Sequence, residues 1–183
     1  SENGRPKLSL ETYKAHFGFP VIDFYAYLGI KTDPENFKAV SQRFIAQYES
    51  RWLKECQLQP KVPELLKQLT AHGLSHSILS AAHQDALEKG TSHFGIKPLL
   101  KNLLGTDNIY AEGKIHRAEL WMEHSEWPKE ATLMVGDTLH DYEVAQAIGI
   151  DCILLASGHC NRSRLEATGL RVFENIEDLL KHL

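Results

Sequence analysis

The sequence predicts an α/β protein in which a doubly wound layer of parallel strands follows a helical region. After Pro60, short apolar runs typical of buried strands alternate with helical segments. Such alternation requires crossover connections and therefore favours a parallel sheet. Before Pro60, residues 9–58 show only helical periodicity. We therefore expect a small helical region at residues 1–59 and an α/β core at residues 60–183.

Three helices are predicted in the first region. Ser9 can cap the first, a second is expected over residues 21–28, and Asp33 followed by Pro34 is a strong start signal for a third. The third helix carries apolar residues at three- and four-residue spacing, which we interpret as one packing stripe: Phe37, Val40, Phe44, Tyr48 and Trp52.

The core pattern predicts its elements in alternation. Helices are expected at residues 63–72, 84–94, 115–124 and 139–148, and strands at residues 75–80, 108–110, 132–135 and 152–155. A last helix, strand and helix are expected within residues 162–183. Glycines follow several of these helices, as is common at helix ends.

Composition excludes several classes of protein. Of 183 residues, 43% are hydrophobic and 24% charged, which is an ordinary globular mixture. The formal charge of −4 gives no basic field for nucleic acid or anionic membrane, and no apolar run approaches the roughly 18 residues of a membrane span. The three cysteines form no C-x-x-C, which favours reduced thiols and a cytoplasmic protein over a disulfide scaffold or zinc site.

Polar residues follow the predicted strands, where ligands of such sheets bind. Ser80 ends the first strand and could offer its hydroxyl to a phosphate oxygen, although a plain turn or cap role explains it equally. Lys114 follows the next strand and could place its charge on a phosphate or carboxylate. Alone, it could equally be a solvated surface lysine.

The strongest local signal is the segment 133–141, LMVGDTLHD. A buried strand delivers Asp137 to the carboxyl edge of the sheet, and Asp141 follows in the first turn of the next helix. Two converging carboxylates would seat a hard cation such as Mg²⁺. The alternative is that Asp137 or Thr138 caps the helix while Asp141 complements its dipole.

Taken together, these residues resemble the haloacid dehalogenase-like hydrolase superfamily, specifically phosphatases of the phosphoglycolate phosphatase type. The resemblance implies a Rossmann-like core with a helical cap formed by the region before Pro60. Ser80 matches the second family motif, which holds the transferring phosphoryl group, and Lys114 matches the third, which neutralises nucleophile and phosphate. Asp137 and Asp141 match the fourth. There, Asp137 would bind Mg²⁺ directly and Asp141 directly or through water.

One motif of the family is absent from the sequence. The first motif, D-x-D-x-T, supplies the covalent nucleophile and a general acid/base, and Asp23 is not followed by a second aspartate at position 25. We expect that the motif and its strand lie upstream of Ser1, between the strands of Ser80 and Asp137 in the sheet. The 183-residue chain by itself is then expected to be inactive.

The resemblance implies a Mg²⁺-dependent phosphatase of small phosphorylated metabolites that works through an aspartyl-phosphate. A degenerate binding domain of the same fold, and a mutase or dehalogenase of the superfamily, remain alternatives. The loop of residues 16–20 could face the substrate or could be structural punctuation. His140 is expected to face solvent, and His159, Arg162 and Arg164 are explained equally well as a solvated loop and helix start. The substrate and the oligomeric state are not predicted.

Overall fold

The computed structural model describes residues 7–107 and 114–182. The helical region contains three helices: α1 (Leu10–His16), α2 (Val21–Tyr27) and α3 (Pro34–Glu55). Their predicted starts are confirmed, since the Ser9 hydroxyl accepts from the Thr12 N–H at 3.0 Å and the Asp33 carboxylate accepts from the Asn36 N–H at 3.0 Å. No helix among the described residues has the length and hydropathy needed to cross a membrane.

The core alternates strands and helices as predicted. Its helices are α4 (Val62–Ala71), α5 (Gln84–His93), α6 (Ile115–Glu123), α7 (Leu139–Ile148), α8 (Arg162–Glu166) and α9 (Ile176–Leu180). Its strands are β1 (Ser77–His83), β2 (Asn102–Thr106), β3 (Leu133–Gly136), β4 (Asp151–Leu155) and β5 (Val172–Phe173). All observed pairings are parallel, which confirms the α/β class.

In the part of the chain that the structure describes, the strands pair into two sheets, whereas a single doubly wound layer was expected. Strand β1 pairs with β2, and β3, β4 and β5 form the second sheet in that order. The predicted strand at 108–110 lies outside the described residues, and β2 was not predicted from the sequence. The segment of β2, NLLGT, contains asparagine and glycine, which are depleted in strands. Its pairing instead depends on contacts such as the Gly105 N–H, which donates to Gln84 Oε1 at 2.7 Å.

Helices α6 and α7 join the two sheets on one face. Leu79 of β1 and Met134 of β3 both pack against an apolar cluster of Ala118, Val144 and Ile148 from these helices. Within the described residues β3 pairs only with β4, and its Leu133 and Val135 side chains are 51% and 44% exposed. The sheets are therefore connected through a shared helix layer.

Strand β4 is the centre of the core. Cys152 and Leu154 pack on one face, against α7, Cys160 and Leu165. Leu155 packs on the other face in a cluster with four residues of α4, β5 and α9: Leu65, Phe173, Ile176 and Leu179. Burial on both faces is the usual state of a strand in a parallel sheet.

Arg164 docks the first helix on the core. Its Nη1 atom donates to the carbonyl oxygens of Lys14 at 3.1 Å and Phe17 at 2.7 Å, and the Asn161 N–H also donates to the Lys14 carbonyl, at 3.2 Å. These carbonyls lie at the C-terminal end of α1, where helix acceptors lack intrahelical partners. A guanidinium group therefore satisfies the end of α1, a role that the sequence analysis did not find for Arg164.

The interpretation of α3 as one packing stripe is partly wrong. Phe37 contacts Tyr25 at one end, and Trp52 lies against Gly90 and Phe94 at the other. Between them, Phe44 and Tyr48 are 53% and 45% exposed and stack on each other, with ring centroids 6.1 Å apart. Periodicity identified a common face of the helix, but Phe44 and Tyr48 on that face stay largely exposed.

Replacing Leu154 with alanine should lower the free energy of unfolding by about 3 kcal/mol, because this side chain is fully buried. The matched control is Leu133→Ala on β3, where half of the side chain is already exposed, and a loss below about 1 kcal/mol is expected. Urea denaturation of both variants measures the difference. Equal losses would contradict the assignment of β4 as the centre of the core.

Arg164→Ala should cost about 1–3 kcal/mol, because the Phe17 carbonyl loses the guanidinium donor and the Lys14 carbonyl keeps only the Asn161 N–H. It should also speed proteolytic cleavage near residues 14–20. Arg51→Ala is the control, since Arg51 pairs with the exposed Glu55 four residues on and should contribute little. Cleavage rates that match in the two variants would show that α1 docks without the guanidinium.

Candidate functional site

Ser80 lies where β1 stops pairing regularly with β2. The register between the strands shifts between Leu79 and His83, and the Ser80 hydroxyl accepts from the Ala82 N–H at 3.1 Å. This local bond is the turn role that the sequence left open. The hydroxyl can still donate to a ligand, because its own hydrogen is not used in that bond.

Lys114 connects the two sheets. Its Nζ atom is 2.5 Å from Asp141 Oδ1 and donates to the Leu79 carbonyl at 3.2 Å. The lysine side chain is only 13% exposed, so it is not a solvated surface lysine. An ammonium group has three donor hydrogens, and these two contacts leave one for a further acceptor. Lys114 therefore contacts Asp141 directly and binds the carbonyl of Leu79, the residue that precedes Ser80.

Asp141 is held by its own helix start. Its Oδ2 atom accepts from the Asp137 and Thr138 N–H groups, both at 2.9 Å, and from the Thr138 hydroxyl at 2.8 Å. Thr138 and Asp141 form a capping box, so the capping alternative describes this pair. Burial tends to raise the pKa of the Asp141 carboxyl, but Lys114 and these hydrogen bonds outweigh it and hold the pKa below its ordinary value.

Asp137 points to a different partner. Its Oδ2 atom accepts from the His159 N–H at 2.7 Å, which ties the end of β3 to the loop after β4. The loop approaches so closely that a Cβ atom at Gly158 would lie 1.9 Å from Asp137 Oδ2, and one at Gly136 would lie 2.2 Å from Asp141 Cβ. Glycine is therefore required at both positions by space alone.

The donor set fits a magnesium ion in part. Asp137 keeps one carboxylate oxygen, Oδ1, without a hydrogen-bond partner among the described residues. Both oxygens of Asp141 already face donors, so this carboxylate suits contact through water. Mg²⁺ is often bound by one or two carboxylates with waters and substrate phosphates completing its shell. Within ranges 7–107 and 114–182, no group of three or more His, Cys, Asp or Glu side chains is arranged to hold a metal ion.

His140 is a site residue that the sequence analysis placed wrongly. It is 7% exposed rather than solvent-facing. Its Nε2 atom accepts from the Lys114 main-chain N–H at 3.1 Å, and its Nδ1 atom lies 3.0 Å from Glu143 Oε2. The spacing of His140 from Val144 and Ile148, four and eight residues on, places it on their buried helix face. That spacing is the signal that could have found it.

Aromatic residues of the helical region cover this end of the core. The Tyr13 hydroxyl bonds His159 Nδ1 at 2.7 Å, and Phe19 lies against the His140 ring with centroids 5.2 Å apart. Burial, reinforced by the charge of Asp137, raises the pKa of Tyr13 to about 12. The loop of residues 16–20 therefore lies beside the site, and a contact with substrate stays a prediction.

The three thiols are free, as expected, but only two of them are buried. Cys56 is exposed, whereas Cys152 and Cys160 are buried. Burial raises the pKa of Cys152 to about 12 and shifts that of Cys160 in the same direction. A thiol with a raised pKa is a poor nucleophile, so neither buried cysteine competes with the carboxylates for a chemical role.

Solved structures with the same fold include several phosphatases. A haloacid dehalogenase-like family protein from Streptococcus pneumoniae is 19% identical, with a TM-score of 0.82, and the match covers 99% of this chain and 84% of the other. A predicted phosphoglycolate phosphatase from Haemophilus somnus is 20% identical, with a TM-score of 0.73 and coverage of 97% and 84%. CbbY from Rhodobacter sphaeroides, solved with phosphate, is 16% identical, with a TM-score of 0.61 and coverage of 79% and 64%.

At these identities the structures establish the fold alone. No curated protein matches the sequence. The family comparison is decisive, because residues 1–155 match the model of the haloacid dehalogenase-like hydrolases. The chain therefore belongs to the haloacid dehalogenase-like hydrolase family.

Proposed function

We propose that this protein takes part in Mg²⁺-dependent hydrolysis of small phosphorylated metabolites. The observation that carries the proposal is the position of Lys114. Its ammonium group lies between the Leu79 carbonyl and the Asp141 carboxylate, largely shielded from water, with one donor hydrogen left. A cation in such a place strongly attracts a phosphoryl oxygen, since water screens it little.

Each site residue has a proposed role. Ser80 donates its hydroxyl to a phosphoryl oxygen, and Lys114 offsets the charge of that oxygen. Asp137 would hold Mg²⁺ through its open oxygen, and Asp141 would hold it through water while orienting the lysine. When bound, the ion supplies charge neutralisation on the phosphoryl group. Tyr13 and Phe19, at the edge of the site, contact the remainder of the substrate.

The chemical step also needs a nucleophile. The sequence contains no D-x-D. Both oxygens of Asp141 already face donors, and the open oxygen of Asp137 is the one proposed for Mg²⁺. We propose that a segment outside the 183 residues supplies the nucleophilic aspartate and that this chain alone has no turnover. The free thiols favour a cytoplasmic setting.

A second candidate function follows from the lack of a D-x-D motif in the 183 residues. A protein that keeps Ser80 and Lys114 but has no nucleophile would bind phosphorylated compounds without hydrolysing them. A mutase would share the binding residues and differ in the fate of the phosphoryl group, whereas a dehalogenase would not need the metal site.

A panel of phosphate monoesters tests these possibilities. We expect no phosphate release by the 183-residue chain, and Mg²⁺-dependent release once the coding sequence upstream of Ser1 is included. Transfer of the phosphoryl group between substrate positions would indicate the mutase. Binding of phosphate by both proteins, with turnover by neither, would establish the binding domain.

Asp137→Asn should abolish Mg²⁺-dependent turnover in the protein that includes the upstream segment, because it removes the carboxylate with the open oxygen while keeping its size. Asp151→Asn is the control, since Asp151 is exposed at the start of β4. Titration of activity with Mg²⁺ makes the comparison. Unchanged activity with unchanged Mg²⁺ dependence would disprove the metal assignment.

Lys114→Ala should lower the turnover rate by about 10²–10³-fold, as expected for loss of a preorganised charge in a shielded site. It should also weaken binding of inorganic phosphate. The substitution would also leave the buried Asp141 carboxylate without its lysine partner, so thermal stability is measured in parallel. Lys101→Ala is the control, because Lys101 forms an exposed ion pair with Glu126. A loss of stability with full phosphate affinity would make the lysine purely structural.

A further inference from the structure

We propose that His140 is a positioning residue, which holds the main chain at Lys114 so that the ammonium group reaches the phosphate-binding position. The inference rests on the proposed function, because it assigns to His140 a part in the phosphate site that Lys114 would form. It is carried by the contact of His140 Nε2 with the Lys114 N–H at 3.1 Å and by the burial of the ring.

The partners of His140 fix which ring nitrogen carries the hydrogen. The Lys114 main-chain N–H can only donate, so Nε2 must be the acceptor. In the neutral ring the hydrogen then lies on Nδ1, which donates to the acceptor-only carboxylate of Glu143 at 3.0 Å. Both nitrogens are therefore used, and the ring is oriented by two hydrogen bonds.

Helix α7 thus holds Lys114 at both ends. His140 binds the main-chain nitrogen of the lysine, and the next residue, Asp141, binds its ammonium group at 2.5 Å. A lysine side chain has four rotatable bonds and loses much entropy when fixed. Because adjacent residues of one helix bind the main-chain nitrogen and the ammonium group of Lys114, they fix the position of the ammonium group.

Among the described residues, the Lys114 carbonyl accepts from the Ala118 N–H at 3.0 Å, whereas the Lys114 N–H donates to His140. Lys114 is the N-cap residue of α6, and its side chain makes no capping bond because it extends to Leu79 and Asp141. The His140 ring is in turn covered by Phe19. Small displacements of a catalytic group lower the reaction rate strongly. A substitution at His140 that shifts Lys114 should therefore weaken the contact of its ammonium group with phosphate.

The test compares His140→Gln with His140→Asn. In glutamine the side-chain oxygen is four bonds from Cα, as is Nε2 of histidine, so it can accept from Lys114; the oxygen of asparagine is one bond too short. His116→Asn is the matched control, because His116 also faces a glutamate three residues on, Glu119 at 3.9 Å, but is exposed.

Two readouts on the 183-residue protein are used. Hydrogen exchange at the Lys114 amide, followed by NMR, reports the proposed bond, and calorimetric titration with inorganic phosphate reports the site. We expect His140→Asn to speed amide exchange and to raise the phosphate dissociation constant about tenfold. His140→Gln should restore both values, and His116→Asn should change neither.

The outcomes separate this inference from the proposed function. If wild type and His140→Asn bind phosphate equally tightly, the positioning role alone is overturned. Unchanged hydrogen exchange at the Lys114 amide in His140→Asn would have the same consequence. A His140→Gln variant that stays as weak as His140→Asn, with both proteins folded, would also overturn it. Wild-type protein that binds no phosphate would overturn the proposed function and, with it, the site that His140 positions.

Discussion

The buried ion pair between Lys114 and Asp141 is the contact on which the rest of the site depends. The two sheets share no observed strand pairing within the described residues, yet Lys114 reaches from the carbonyl of Leu79 at one sheet to Asp141 beside the other. Both side chains are largely shielded from water, and a shielded charge is costly unless it stays paired. The pair therefore fixes how the strand ends meet.

The first turn of α7 concentrates most of the polar groups that matter. Thr138 caps the helix, His140 and Asp141 hold the lysine, and the carboxylate of Asp141 also binds the main chain at Asp137. This helix turn is held firmly in place, because buried apolar residues pack α7 against β3 and β4. The candidate cation ligands Asp137 and Asp141, and the contacts that hold Lys114, thus rest on one strand-to-helix junction, a favourable foundation for precise geometry.

Local patterns determined what could be predicted from the sequence. The run from Leu133 to Gly149 shows a strand and a helix ended by glycine, which were predicted because their signals lie within a few residues, and its capping pair was an alternative that the sequence left open. Strand β2 was not predicted, because its residues have weak strand preference and its Gly105 N–H is bound by Gln84, which is distant in sequence. The burial of His140 and the exposure of Phe44 depend on which elements pack against each helix face. Periodicity shows which residues share a face but does not predict what covers it. The roles of Ser80 and Asp137 in binding remain predictions.

The way Arg164 holds α1 has a consequence for how the family could diversify. The guanidinium group binds the carbonyl oxygens of Lys14 and Phe17, and a carbonyl is present whatever side chain stands there. The attachment therefore places little demand on the identity of residues in the helical region. Mutations could alter the surface of this region while leaving its seat on the core intact. Under the proposed function, substrate preference could then change over evolutionary time without any change at Ser80, Lys114 or Asp137.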